Sequence, residues 1–144
     1  MDGIFTLRTD GGARGNPGPA GAGFVLEDST GAIVRGGGAF LGVATNNVAE
    51  YRALILGLQL AESFSVRRLR VCADSELVVR QVTGVYRVKN EGLRPLFAEA
   101  RALLDGFDSC EVVHVRREHN GAADALANEA MDRQADVGDA VPRV

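Results

Sequence analysis

Four acidic residues sit where chain elements begin or end. Asp10 closes the extended run Leu7-Arg8-Thr9-Asp10 and opens a glycine-rich segment. Glu50 falls in the first turn of a helix expected after Thr45-Asn46-Asn47. Asp74 closes a second apolar run, Leu69-Arg70-Val71-Cys72-Ala73. Asp124 lies near the start of the last expected helix, in Asn120-Gly121-Ala122-Ala123-Asp124-Ala125. No Cys/His cluster competes for metal, so four carboxylates at element ends suggest an all-oxygen site for a hard divalent cation such as Mg²⁺. Cys72 and Cys110 stand in strand-like runs and read as free thiols.

The elements that must carry these acids follow from periodicity. Residues 4–10 alternate apolar and polar, as a half-buried strand does. The stretch Gly11 to Pro19 reads as a tight loop. Strands are expected over 20–28 and 32–42, joined at Ser29-Thr30-Gly31, and Gly36-Gly37-Gly38 marks a bulge or a close backbone approach. Tyr51, Leu54, Ile55, Leu58 and Ala61 make one apolar stripe on a helix over 46–63, which Thr45 or Asn46 can cap. A strand over 68–73, a short helix over 75–82 and an irregular connection over 83–92 come next. A helix over 93–104, a strand over 110–116 and a helix over 121–133 complete the order βββαβααβα. The tail from Gln134 shows no period and is expected to be frayed. This order predicts an α/β domain over 1–134: an antiparallel meander extended by parallel strands into a five-stranded mixed sheet flanked by helices. The crossover rule sets the fourth strand beside the first, which brings Asp74 next to Asp10.

At 144 residues and 46% hydrophobic content the chain is one domain with a core of its own. No apolar run is long enough for a membrane span, and the N-terminus lacks the plan of a signal peptide, so a cytoplasmic monomer is expected. The net charge of −3 argues against unspecific coating of nucleic acid. The cations are fifteen Arg and the single Lys89, a bias suited to bidentate phosphate contacts.

Thr9-Asp10-Gly11-Gly12-Ala13-Arg14-Gly15-Asn16-Pro17-Gly18, Thr45-Asn46-Asn47-Val48-Ala49-Glu50-Tyr51, Ala73-Asp74-Ser75 and Ala123-Asp124-Ala125-Leu126-Ala127 resemble, in order and spacing, the motifs of type 1 ribonucleases H. The likeness covers about residues 3–133 and implies the ribonuclease H-like fold. It implies hydrolysis of the RNA strand of an RNA/DNA hybrid, leaving 5′-phosphate and 3′-hydroxyl ends. Asp10, Glu50, Asp74 and Asp124 take the places of the catalytic, metal-binding carboxylates. They would hold two Mg²⁺ ions about 4 Å apart when substrate is bound, with Mn²⁺ as a substitute. Asp10 would bridge the ions, Glu50 and Asp74 would complete the one near the leaving group, and Asp124 would hold the one that activates water.

The resemblance also implies the substrate contacts. Gly11, Gly12, Arg14, Asn46 and Asn47 would lie at the minor groove, where the 2′-hydroxyl distinguishes RNA. Asn16 and Thr45 would hold a DNA-strand phosphate. Ser75 and Glu76 would face the RNA, with Glu76 where many relatives carry Gln. Two departures stand out. Many bacterial relatives carry a basic helix and loop where residues 83–92 offer only Arg87 and Lys89, so weaker hybrid affinity and a steeper dependence on salt are expected, without loss of chemistry. This handle-less form is similar to an archaeal-like subgroup and to a module fused to a phosphatase in some actinobacteria. The loop before Asp124 is short, and its His119 stands in for a histidine that assists product release or proton transfer. His114, inside a strand, reads as structural. Two rivals remain: another nuclease of the same superfold, and a hybrid-binding module without catalysis. The Thr45-Asn46-Asn47 segment argues against the first, and the complete carboxylate set against the second.

Overall fold

The computed structural model describes residues 3–138. Strands β1 (Ile4–Ala13), β2 (Gly18–Glu27) and β3 (Ile33–Ala44) form the antiparallel meander. Helix α1 (Asn46–Ser63) follows, and the Thr45 hydroxyl caps it by accepting from Val48 N at 3.2 Å. Strand β4 (Arg68–Ala73) then lies parallel to β1, with Thr9 opposite Ala73. Helices α2 (Glu76–Val82) and α3 (Arg94–Asp105) lead to β5 (Ser109–His114), parallel to β4. A 3-10 turn (Arg117–His119) and helix α4 (Gly121–Arg133) precede β6 (Val137–Gly138).

The sheet has six strands in the order β5-β4-β1-β2-β3-β6, against the five that the sequence pattern predicts. The sixth is two residues long, too short to show any period. Gln134 ends α4 in the left-handed conformation (φ 49°) and turns the chain back towards the sheet. Val137 and Gly138 then pair with Gly38 and Gly37, while Asp136 Oδ1 accepts from Phe40 N at 3.0 Å. Residues 135–138 are thus tied to β3, and the rest of the tail lies outside the described residues.

The glycine segment also departs from the expected loop. β1 runs on to Ala13, and Gly11, Gly12 and Ala13 stand opposite Ala22, Gly21 and Ala20. Glycine lacks a side chain to pack, but its N–H and C=O still join a ladder. Gly11 is required there for another reason. A Cβ on Gly11 would overlap the Ala49 carbonyl and crowd Glu50 N, so its absence lets α1 lie directly on the strand. On the other face a Cβ on Gly23, the partner of Asp10, would overlap the Ala123 carbonyl of α4. Successive strand residues point to opposite faces, so α1 and α4 sandwich the end of β1 that carries Asp10.

The main core forms between the sheet and α1. Leu7, Phe24, Leu26 and Val71 meet Tyr51, Leu54, Ile55 and Leu58. The predicted stripe on α1 widens: Ala53, Leu56 and Leu60 are buried too, because the sheet covers one side and α3 another. The buried Tyr51 hydroxyl donates to Gln81 Oε1 at 2.6 Å and ties α1 to α2. Among the described residues no helix is long and apolar enough to cross a membrane.

Candidate active site

Parallel pairing of β1 with β4 ends at Thr9 opposite Ala73, and Asp10 and Asp74 are the next residue on each chain segment. Glu50 is the fifth residue of α1, just past the first turn in which the sequence places it. The close approach at Gly11 brings it over the strand end, where its Oε1 accepts a short hydrogen bond from Gly11 N. One carboxylate oxygen each from Asp10, Glu50 and Asp74 lies within 4.8 Å of the others. Asp124 stands outside this trio but lines the same cleft, close enough to act on the Asp10 carboxyl. Burial, the charge of Asp74, the Asp124 carboxylate as acceptor for the Asp10 proton and the charge of Glu50 push the Asp10 carboxyl up to about 9. Burial and Asp74 push Glu50 up to about 8, against the lowering pull of the Gly11 N–H. Partly buried carboxyls crowded in this way fit a hard divalent cation, which would replace the shared protons with positive charge.

The trio forms the floor of a cleft of about 520 Å³. Gly11, Gly12, Ala13 and Arg14 line one wall, Asn46 and Asn47 another, and Ser75 the end of a third. Asn46 Oδ1 accepts from Ala13 N at 2.7 Å and Asn16 Oδ1 from Asn46 N at 3.1 Å, so the β1–β2 turn and the start of α1 are laced together. Ala127, Asn128 and Met131 of α4 close the cleft, with Arg117, whose Nη2 is 3.4 Å from Asp124 Oδ1.

A family model described as reverse transcriptase-like matches residues 8–130. A ribonuclease HI of Halobacterium salinarum is 49% identical over 123 residues, 85% of this chain and 62% of that protein. The crystal structure of RNase H1 from that archaeon matches with a TM-score of 0.88 at 46% identity, covering 91% of this chain and 99% of the other. This chain belongs to the type 1 ribonuclease H family. The N-terminal RNase H domain of Rv2228c of Mycobacterium tuberculosis matches with a TM-score of 0.89 at 41% identity, over 92% of this chain and 96% of that one. The whole mycobacterial protein is named bifunctional, and this chain spans 36% of its length. LC11-RNase H1, solved in complex with an RNA/DNA hybrid, matches with a TM-score of 0.85 at 43% identity, over 90% of this chain and 98% of that one.

Within this ribonuclease H site, most of the residues singled out in the sequence reach the cleft. Gly11, Gly12, Arg14, Asn46, Asn47 and Ser75 line it. Asn16, Thr45, Glu76 and His119 do not. Asn16 and Thr45 support the wall through Asn46 and the α1 cap. Glu76 pairs with Arg80 at 2.9 Å. The ring Nε2 of His114 contacts Asp74 O at 3.3 Å. Sequence reasoning misses Arg117, because nothing in Arg116-Arg117 marks which of the two turns inward. It misses the α4 wall because Asn128 and Met131 belong to the site through the helix repeat alone, four and seven residues beyond Asp124.

Proposed function

We propose that this chain hydrolyses the RNA strand of RNA/DNA hybrids, with Mg²⁺ held by Asp10, Glu50, Asp74 and Asp124. The observation that carries this reading is the convergence of Asp10, Glu50 and Asp74 on the floor of an open cleft, in a chain of this family. The ions, when bound, supply an activated water and stabilise the leaving 3′-oxygen. Asp10, grouped with Glu50 and Asp74 and on the same cleft as Asp124, would be shared between two ions. Glu50, aimed by the Gly11 N–H, and Asp74, at the end of β4, would hold the ion on the leaving-group side. Asp124 would hold the other. The Arg117 guanidinium, which lines the cleft beside Asp124, would meet the scissile phosphate in preference to His119, which does not line it.

Selection of RNA falls to the walls. Asn46 engages its Oδ1 with Ala13 N, so what it offers a ligand is its NH₂ group, which a 2′-hydroxyl accepts. The glycine backbone of residues 11–12 allows close approach of a sugar. Products would carry 5′-phosphate and 3′-hydroxyl ends.

The test incubates the purified protein with labelled RNA/DNA hybrid, duplex RNA and duplex DNA, with Mg²⁺ or Mn²⁺ and with EDTA. Cleavage confined to the RNA of the hybrid and lost in Asp10→Asn is the expected result. Equal behaviour of wild type and Asp10→Asn on the hybrid would sink the proposal.

A further inference from the structure

Three successive residues of β1 meet the segment that carries Asp124. Asp10 shares the cleft with Asp124 and lies close enough for that carboxyl to raise the Asp10 pKa. Thr9 O accepts from Asn120 Nδ2 at 2.7 Å, and both residues are buried. Arg8 Nη1 donates to His119 O at 3.1 Å, while its Nε is held by Glu27 Oε2 of β2 at 3.0 Å. Asn120 occupies the N-cap position of α4 but makes no side-chain cap. An Asn there ordinarily accepts from the first turn of its helix. In this chain the side chain turns to β1 instead, and its buried Oδ1 has no donor among the described residues. Asp124 N donates to Asn120 O at 3.1 Å, so the position of Asn120 passes one helical turn to Asp124.

We propose that Arg8 is a positioning residue: with Asn120 it locks the 117–120 turn onto β1 and fixes Asp124 relative to Asp10. The inference rests on the reading of the four carboxylates as a metal site. A guanidinium anchored by Glu27 presents its remaining N–H groups in a fixed plane, and His119 O lies at one of them. Among the described residues the turn's other bonds are local: His119 N to Arg116 O, Asn120 N to Arg117 O, and Arg117 Nη2 to Asp124 Oδ1 at 3.4 Å. Without Arg8 the turn would move on the single hinge at Asn120. Charge alone predicts the opposite effect of removing Arg8, because losing a cation near the carboxylates should tighten binding of a divalent ion. The sign of the change therefore separates geometry from electrostatics.

The experiment compares wild type, Arg8→Met and Glu27→Gln, the last of which loses the ion pair but keeps the arginine. Amide exchange is measured on the metal-free proteins, and Mn²⁺ binding and the Mg²⁺ dependence of cleavage on the same preparations. In Arg8→Met the amides of His119, Asn120 and Asp124 are expected to exchange about tenfold faster, with those of α1 unchanged. Mn²⁺ should bind about fivefold more weakly, and the Mg²⁺ concentration for half-maximal cleavage should rise in step. At saturating Mg²⁺, kcat and the KM for hybrid should stay within about twofold. Glu27→Gln should fall between wild type and Arg8→Met, because Arg8 loses its charged anchor but keeps its bond to His119 O. Unchanged exchange in Arg8→Met overturns the lock whether or not the protein binds metal. Faster exchange with unchanged or tighter Mn²⁺ binding overturns the positioning role. So does an effect of Glu27→Gln larger than that of Arg8→Met. A wild type that binds no Mn²⁺ would instead count against the metal-site reading, and the exchange data would still judge the lock.

Discussion

Asp10 holds a proton far more tightly than an exposed carboxyl does, and that has a thermodynamic consequence. Its ordinary value is 3.8 and it is pushed up to about 9; Glu50 goes from 4.5 to about 8. Between about pH 4 and those values the folded protein keeps protons that the unfolded chain has released. Stability from these groups is therefore present at low pH and lost as pH rises towards 8–9. In EDTA, Asp10→Asn should be more stable than wild type at pH 8 and gain little at pH 4. A gain of ~1 kcal/mol would raise the midpoint by about 4 °C. Thermal melts across pH measure the difference, and adding Mg²⁺ should erase it by stabilising wild type alone. A pH-independent gap between the two proteins would contradict proton retention as the cause. A second prediction concerns the loop. Arg117 lines the cleft and His119 does not, so Arg117→Ala should lower kcat about tenfold or more, and His119→Ala less than about threefold. Single-turnover cleavage decides it, and the reverse order would restore His119. The four acids are legible in the chain because each sits in a local motif at an element end. Arg117 and Asn120 are not, because their roles depend on which way a short turn faces β1.

At the scale of elements, the site is built by two close helix-to-strand approaches. α1 lies on Gly11 and so delivers Glu50; α4 lies on Gly23 and so delivers Asp124. Gly11→Ala forces a methyl group into the Ala49 carbonyl, and the helix must shift to make room. The expected cost is about 1–3 kcal/mol, with loss of activity beyond the loss of folded protein, since Glu50 follows Ala49. Gly23→Ala should act in the same way through Ala123 and Asp124. Denaturant midpoints combined with kcat per folded molecule test both. A variant that is destabilised yet fully active per folded molecule would show that the approach serves stability only. Alternation makes the first part of β1 readable in the chain, and an apolar stripe does so for α1. The end of β1 reads as a loop because glycine carries no pattern, and its meaning depends on a helix thirty-odd residues away. β6 escapes sequence reasoning because two residues have no period, and the left-handed turn at Gln134 that aims them is not a glycine.

The whole molecule combines an acidic cleft floor with scattered cations and a net charge of −3. At the rim, Arg14 pairs with Asp132 at 2.5 Å and Arg117 with Asp124, so each already has a carboxylate partner. α2 runs from Ser75 at the cleft to Gln81 at a second hollow of about 600 Å³, lined also by Tyr86, Arg87, Val88, Lys89, Arg94 and Phe97. Seven helical residues span roughly 10 Å, less than one turn of a duplex, so one bound hybrid can meet both places. The number of phosphates neutralised sets how steeply affinity falls with salt, at about 0.9 log units per contact on duplex DNA. A chain without a longer basic insertion should therefore bind weakly, and with a shallow salt slope in place of the steeper one expected from the sequence, because fewer contacts release fewer counterions. Much of that slope should come from the second hollow. Substituting Arg87→Ala and Lys89→Ala together should reduce the slope by roughly two, raise the KM for hybrid at physiological salt, and leave kcat unchanged. Binding isotherms of the Asp10→Asn protein, with and without the two substitutions, measure it between low and physiological salt. Equal slopes would place the DNA strand elsewhere on the molecule and leave the hollow without a part in holding substrate.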